Sequence, residues 1–248
     1  MQHDIVWEDP EANRSRLAGL VADATIGGAE LVVLTEMFAT GFSMDTDAIA
    51  EPPDGPTVDW LRSQAAEHGV WVGGSVSTRV EGEPLAVNRF TVAGPQGDQH
   101  HYDKIHPFTY GGEGEYYRGG DVHVVVDIAG VRTALFVCYD LRFADEFWPL
   151  ATDVDLYLVP ANWPARRRAH WRALLVARAI ENQAYVVGVN RVGGGGGLDY
   201  SGDSLIVDPL GEILADGHGG AEQILTADIA LDHVVAVRQR FPFLADRR

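Results

Sequence analysis

Apolar and polar residues alternate with the period of an α-helix in two stretches of the first third of the chain. The first stretch begins at Asp9, a residue type suited to capping a helix, and ends at the pair Gly27-Gly28. The second begins at Thr57 and ends at Gly69. The pattern predicts two amphipathic helices, each with one face packed against a core.

Short, continuous apolar runs predict strands that are buried on both faces. They cover residues 30–35, 70–76, 87–92, 124–128, 131–137, 156–159, 185–189 and 223–229, and a hairpin is predicted over residues 204–214. The longest helical pattern covers residues 166–182, and a short helix is predicted from Asp232. Because strands alternate with helices early and form hairpins later, we expect an α/β fold with mixed sheets and helices outside.

Residues 193–197 are all glycine. A glycine-rich loop can bind phosphate, but here no Gly-Lys-Ser/Thr follows and no helical pattern begins. The run is therefore predicted to be a mobile surface loop.

The composition limits the classes of function. With 248 residues, 46% of them apolar, and no linker-like segment, the chain is expected to form one domain over residues 1–248. A formal net charge of -17 and a single basic triplet, residues 166–168, argue against binding to nucleic acid. One cysteine excludes an intramolecular disulfide. The amino terminus shows no charged-then-apolar pattern and no apolar run approaches membrane-spanning length, so we expect neither a signal peptide nor a transmembrane helix. We expect a soluble cytoplasmic protein that does not bind membranes.

Three reactive side chains, Glu36, Lys104 and Cys138, each follow an extended segment. Taken separately they are unremarkable, because a lone cysteine often only fills space in a core and a lysine in a loop is usually solvated. Together they provide what covalent hydrolysis of a C–N bond requires. A thiol of pKa about 8.5 needs a base such as Glu36 to attack a carbonyl or nitrile carbon. Lys104 and the backbone N–H of Tyr139 are candidate donors to the negative charge that then develops.

The segments around these residues resemble the three signature motifs of the nitrilase (carbon–nitrogen hydrolase) superfamily. They are LTEMF at residues 34–38, YDKIH at residues 102–106 and FVCYDLRF at residues 136–143. Further stretches, residues 162–164, 179–185 and 201–204, also match the family, so the resemblance spans nearly the whole chain.

The resemblance implies a four-layer α-β-β-α sandwich, usually dimerised through a helical face. It also implies the roles of four residues. Glu36 is the general base and acid, Lys104 stabilises the tetrahedral intermediate, and Cys138 is the nucleophile that forms a thioester. Glu113 is a second glutamate, which positions the lysine and the substrate. Glu113 fits that position better than Glu115. No metal or organic cofactor is implied. His100, His101 and His106 lie close together without a recognised ligand spacing.

Residues 104–108 (KIHPF), Glu113 and residues 116–120 resemble the omega-amidase group, whose members deamidate 2-oxoglutaramate and related ω-amides of 2-oxo acids. The predicted substrate-binding residues are Tyr139, Phe42, Arg142, Trp163 and Tyr116, with Phe108, Tyr110 and Arg166 as further candidates; several of the aromatic residues could instead be core. An anionic substrate would need a cation besides Lys104, and Arg142 or Arg166 could provide it. Hydrolysis of a nitrile or an N-carbamoyl amine by the same residues remains an alternative, as does a catalytically silent scaffold.

The amino terminus departs from the family pattern. Family members begin with a buried strand ahead of the segment at residues 3–7, and here Met1 and Gln2 replace almost all of it. Either the first strand is truncated here or it is absent, and its loss would expose a sheet edge or a core face. We therefore expect an apolar extension of about five to seven residues, the usual length of a strand, to raise the melting temperature.

Overall fold

The computed structural model describes residues 1–247 of the chain. The helices are α1 (Pro10–Ile26), α2 (Thr46–Ile49), α3 (Pro56–His68), α4 (Ala144–Phe147), α5 (Arg168–Asn182) and α6 (Leu231–Arg240). The strands are β1 (Leu31–Val33), β2 (Trp71–Thr78), β3 (Val87–Ala93), β4 (Gln99–Asp103), β5 (Val125–Ile128), β6 (Val131–Leu135), β7 (Leu156–Ala161), β8 (Tyr185–Asn190), β9 (Val192–Gly195), β10 (Leu198–Ser201), β11 (Leu205–Val207) and β12 (Ile213–Asp216). In this part of the chain no helix is both long and apolar enough to cross a bilayer.

Two mixed sheets form the centre of the molecule. The first has the order β1-β2-β3-β4 and the second the order β12-β11-β8-β7-β6-β5. Strands β1 and β2 are parallel, as are β6, β7 and β8, whereas the remaining neighbours in these sheets are antiparallel. Helices α1 and α3 pack on the first sheet and α5 packs on the second. The predicted α-β-β-α sandwich with helices outside is thus confirmed.

The main core lies between the two sheets. Side chains of the first sheet, such as Phe90 and Val92, pack in one cluster with Leu135, Leu158 and other residues of the second sheet. A separate cluster joins Leu17 of α1 and other helical residues to the outer face of the first sheet. Burial of this apolar surface on both faces explains why the strand sequences are short apolar runs rather than alternating ones.

Local sequence signals set several boundaries as predicted. The Asp9 side chain accepts a hydrogen bond from the N–H of Ala12 at 3.0 Å and caps α1. Gly69, with φ +69°, ends α3 in the left-handed conformation that glycine adopts without strain. Ala129 and Gly130 have φ values of 52° and 85°, the signs required by the tight turn that joins β5 to β6.

The glycine run at residues 193–197 is not the loop that was predicted. Strands β9 and β10 form a two-stranded hairpin that contains most of it. A Cβ atom at Gly195 or Gly196 would lie 2.8 Å from the Trp7 ring, closer than real Cβ contacts allow. The glycines therefore let the hairpin pack directly on an indole that lies far away in the sequence.

The strand predicted over residues 223–229 is also absent. Only an isolated bridge pairs Gln223 with Gln2, through backbone hydrogen bonds of 3.0 and 2.9 Å. The apolar residues that follow border a cavity of about 580 Å³, here called the apolar groove. It is lined by Met1, Leu31, Val33, Leu156, Val189, Leu205 and residues 224–229, among others. One wall is β1, which is the edge strand of its sheet.

Candidate active site

Glu36 lies in a sharp turn shortly after β1 and is fully buried. The next residue, Met37, has φ +42°, and its N–H donates to the Ser75 hydroxyl at 2.8 Å. A positive φ in a residue with a Cβ costs on the order of 1 to 3 kcal/mol and persists only where the surroundings impose it. The strained turn aims the carboxylate into the interior instead of letting the chain continue as a strand.

Lys104 directly follows β4 and is the only lysine of the sequence. Its side chain is 1% exposed. The Nζ atom donates to Oε1 of Glu36 at 3.0 Å and to Oε2 of Glu113 at 2.8 Å. An ammonium can be buried in this way because two carboxylates replace the water that it loses.

Glu113 is fully buried at the start of a short 3-10 turn, whereas Glu115, two residues on, is exposed. Besides Lys104, it accepts a hydrogen bond from the N–H of Phe108. The structure therefore places Glu113, the preferred of the two predicted glutamates, against the lysine.

Asn88 on β3 was not predicted from the sequence. Its Nδ2 atom donates to Glu36 at 2.8 Å and to Glu113 at 3.3 Å, so one amide contacts both carboxylates. Its backbone carbonyl also accepts from the N–H of Lys104 at 3.0 Å. The sequence offered little signal, because Asn88 is followed by Arg89 and the same strand also contains Thr91, so one more polar residue does not stand out.

Asn162, immediately after β7, holds Glu36 from the other side. Its N–H donates to Oε2 of Glu36 at 2.7 Å, and its side-chain amide donates to the backbone carbonyl of Glu36 at 2.6 Å. Together with Asn88 and Lys104, these contacts fix both oxygens of the carboxylate. The residue belongs to one of the matched motifs, but its contact was not predicted.

Cys138 opens a 3-10 turn, Cys138–Arg142, rather than following the strand directly, because β6 ends at Leu135. The cysteine has φ +46°, a second strained residue at this site. Tyr139 is the second residue of the turn. The first backbone hydrogen bond of the turn is donated by the next residue, from Asp140 N to Val137 O. The N–H of Tyr139 thus has no acceptor within the turn.

Asp140 fixes this turn and is fully buried. It accepts hydrogen bonds of 2.9 Å from the N–H of Val137, the hydroxyl of Tyr102 and the N–H of His106. The last two belong to the segments on either side of Lys104. One carboxylate therefore ties the cysteine turn to the lysine segment.

The charges of the site keep the thiol protonated. Burial raises the pKa of Cys138 well above its usual value, the Glu36 carboxylate raises it further, and Lys104 opposes both. Burial alone would lower the pKa of Lys104, but Glu113 and Glu36 outweigh it and the pKa is raised well above its usual range. Burial also raises the pKa of Glu113, against the pull of Lys104. Two carboxylates and one ammonium give this cluster a net negative charge, which disfavours a resting thiolate.

A small cavity of about 30 Å³, here called the site cavity, lies over Cys138. Its lining consists of Phe42, Phe108, Cys138, Tyr139, Arg142, Asn162, Trp163, Pro164, Arg167, Leu198 and Tyr200. Of the predicted substrate-binding residues, Phe42, Tyr139, Arg142 and Trp163 are included.

Three other candidates lie elsewhere. Tyr116 and Tyr110 are 41% and 80% exposed and are not part of the lining, and Arg166 is exposed. The chain instead places Arg167 at the cavity, because the short 3-10 turn at Ala165–Arg167 decides which guanidinium turns inward. Leu198 and Tyr200 come from the β9–β10 hairpin, which the sequence did not predict.

Within residues 1–247, no three His, Cys, Asp or Glu side chains are grouped so that they could hold a metal ion. His106 and His123 instead both contact Glu146, at 2.7 and 2.6 Å. His101 contacts the hydroxyl of Thr91 and the side chain of Gln99.

The family is established by comparison with known proteins. The carbon-nitrogen hydrolase family model matches residues 1–239. The chain therefore belongs to the carbon–nitrogen hydrolase family and is an enzyme of that class, as the three motifs predicted.

Two curated relatives are amidases. The chain is 42% identical over 248 residues to omega-amidase YafV of Yersinia enterocolitica, a match that covers 99% of this chain and 94% of the relative. It is 32% identical over 252 residues to 2-oxoglutaramate amidase of Bacillus subtilis, covering 100% of this chain and 96% of the relative. Among solved structures, XC1258 of Xanthomonas campestris, a CN-hydrolase superfamily protein, superposes with a TM-score of 0.93 at 40% identity. The match covers 100% of this chain and 95% of the XC1258 chain.

Proposed function

We propose that this enzyme hydrolyses the ω-amide of a 2-oxo acid, such as 2-oxoglutaramate, to the carboxylic acid and ammonia through a cysteine thioester. The observation that supports it most is the ammonium of Lys104, held between Glu36 and Glu113 beside the thiol of Cys138. The names of the two amidase relatives support the choice of substrate class.

In the first half of the reaction, Glu36 removes the thiol proton as the sulfur attacks the amide carbon. Because the pKa of Cys138 is raised, the proton leaves in step with attack rather than beforehand. The negative charge that develops on the amide oxygen is met by Lys104 and the N–H of Tyr139. Loss of one such donor commonly costs about a hundredfold or more in rate.

In the second half, Glu36 transfers its proton to the departing ammonia and then deprotonates a water molecule. That water cleaves the thioester and regenerates the thiol. Glu113 and Asn88 keep Lys104 and Glu36 in place throughout, because both contact the charged pair in the resting site. The chemistry requires no metal or organic cofactor.

Ammonia release across a panel of substrates tests this proposal. The panel contains 2-oxoglutaramate, simple aliphatic amides, nitriles and N-carbamoyl amino acids, and we expect the first to be hydrolysed fastest. Turnover of nitriles or N-carbamoyl compounds alone would contradict it. Absence of all turnover, together with a Cys138 that iodoacetamide does not alkylate in the folded protein, would favour a scaffold.

We further propose that the enzyme is a cytoplasmic homodimer. Ile180 on α5 and Leu210 and Leu214 of the β11–β12 hairpin are 50%, 46% and 46% exposed. The Ile180 side chain packs against Gly211, the residue after Leu210, so α5 and the hairpin turn present exposed apolar side chains on neighbouring segments. Sedimentation velocity is expected to give the mass of two chains, and a mass of one chain would contradict pairing.

Cell fractionation tests the proposed location, and we expect the enzyme in the cytoplasmic fraction.

A further inference from the structure

The arginines Arg142 and Arg167 differ from most others in this acidic protein. Twelve arginines pair with a carboxylate in the described residues: Arg14, Arg16, Arg62, Arg79, Arg89, Arg118, Arg132, Arg168, Arg172, Arg178, Arg191 and Arg238. Within residues 1–247, neither Arg142 nor Arg167 has such a partner, although both line the site cavity.

Both guanidinium groups are held over aromatic rings of that cavity. The guanidinium carbon of Arg142 lies 4.6 Å from the centroid of the Trp163 ring, and that of Arg167 lies 5.1 Å from the centroid of the Phe108 ring. Stacking of this kind orients the planar group and directs its N–H donors to the edge of the ring. One nitrogen of Arg142 also contacts Nδ1 of His170 at 3.4 Å, and neither guanidinium group contacts a carboxylate in the described residues. Both arginines are partly exposed and line the same cavity as the buried Cys138, so they form part of its solvent-accessible lining.

The remaining charges explain why an anionic substrate would need these two residues. The cluster of Glu36, Glu113 and Lys104 is negative in sum, and the whole chain carries a formal charge of -17. Both would repel a carboxylate that approaches the thiol. Burial lowers the pKa of Arg167, and repulsion from the charges of Arg166 and then Arg142 lowers it further. A bound anion would relieve that repulsion.

We propose that Arg142 and Arg167 together bind the carboxylate of the substrate, so that the enzyme selects monoamides of dicarboxylic acids over neutral amides. The proposal rests on the proposed amidase function and adds the residues that determine charge specificity. Two guanidinium groups offer the forked donors that match a carboxylate. The amide end of the same molecule then reaches Cys138 at the bottom of the cavity.

The kinetic test compares an anionic amide with a neutral amide of the same length, glutaramate and pentanamide. In Arg167→Met, kcat/KM for glutaramate should fall by about tenfold to a hundredfold, as expected for charge-assisted hydrogen bonds, while that for pentanamide stays within about twofold. Arg166→Met is the matched control, because it removes the same charge from the exposed neighbour, and it should change neither value. Arg142→Met should repeat the effect from a different segment.

A second test does not depend on turnover. Cys138 is the only cysteine, so thiol modification reports on this site alone. We expect the rate with 2-carboxyethyl methanethiosulfonate, relative to that with the cationic 2-aminoethyl reagent, to fall at least about tenfold in Arg167→Met. The Arg166→Met variant should keep the ratio of the parent enzyme.

Equal losses of kcat/KM on both amides, or an unchanged ratio of modification rates, would overturn the assignment. The assignment would also fail if Arg166→Met changed these quantities as much as Arg167→Met. Such a result would indicate that the overall positive charge of the region, rather than a binding site, attracts the anion. If the parent enzyme hydrolysed no amide but its modification ratio still depended on Arg167, the proposed function would fail and the anion site would stand.

Discussion

The site cavity and the apolar groove show that size is a poor guide to function in this molecule. The groove has a volume of about 580 Å³ and the cavity over Cys138 about 30 Å³. Yet the small cavity adjoins a buried ammonium, two buried carboxylates and a strained cysteine, whereas the groove is lined mainly by aliphatic side chains and backbone. The reactive region is distinguished by buried charged side chains that several hydrogen-bond donors and opposite charges contact. Burying such charges lowers the stability of the fold, so their presence indicates a functional site.

The largest effect should come from the thiol itself. We expect Cys138→Ser to lower kcat/KM by at least about 10⁴-fold, because a hydroxyl is far less easily activated by Glu36, and to leave the melting temperature nearly unchanged. The matched change in the groove is Leu156→Ala, at the opposite end of β7 from Asn162. It should lower the free energy of unfolding by about 2 to 5 kcal/mol and leave kcat/KM unchanged.

Amide hydrolysis measures kcat/KM, and urea unfolding measures the free energy of unfolding. The contrast between the regions would disappear if Cys138→Ser retained substantial activity, or if Leu156→Ala reduced kcat/KM at a temperature where it remains folded.

Lys104→Met should change activity and stability together. It removes a donor to the developing oxyanion, for a loss of about 10²- to 10³-fold in kcat, and leaves two buried carboxylates without their cation, for about 3 to 5 kcal/mol in stability. Adding Glu113→Gln removes one of those charges. The double variant should therefore recover part of the stability and none of the activity, as measured by urea unfolding and ammonia release.

Recovery of activity in the double variant would contradict a role for Lys104 in the reaction itself. If Lys104→Met were as stable as the parent, the buried ion pairs would contribute no more to the free energy of unfolding than a well-packed apolar side chain does.

The same contrast explains how much the sequence could predict. Helix ends at Asp9 and Gly69 and the turn at Ala129-Gly130 depend on local geometry, and these predictions are confirmed. Glu36, Lys104 and Cys138 could be singled out because each follows an extended segment and lies in a family motif.

The remaining features depend on contacts between distant segments. Asn88 matters only because β3 carries it between two carboxylates, and Arg167 is chosen over Arg166 by the register of one short turn. The β9–β10 hairpin that contains the glycine run packs on Trp7, which is far away in the sequence. Neither periodicity nor composition contains that information.

A smaller effect is expected from filling the apolar groove. An extended apolar segment of about six residues fused ahead of Met1 would place backbone donors and acceptors along the edge of β1 and side chains in the groove. We expect the melting temperature to rise by a few degrees, the shift that about 1 kcal/mol produces in a protein of this size, with kcat/KM unchanged. The control is the same segment with aspartate at its inward positions.

An unchanged melting temperature for the apolar fusion, or an equal rise for the aspartate control, would show that the groove does not accept a strand.

The last effect is visible only as a dependence of stability on pH, and it concerns the amino group of Met1, which is buried at the groove and donates to the carbonyl of Val33 at 2.6 Å. Burial lowers its pKa from 8.0 to about 5. Between these values the unfolded chain binds more protons than the folded one, so this group makes the free energy of unfolding rise with pH. The fusion converts the amine to an amide N–H and should remove that slope. Because burial of His3 lowers its pKa from 6.5 to about 3, the interval from pH 6.5 to 8 isolates the amine. Parallel slopes for parent and fusion there, in urea unfolding, would contradict a neutral buried amine.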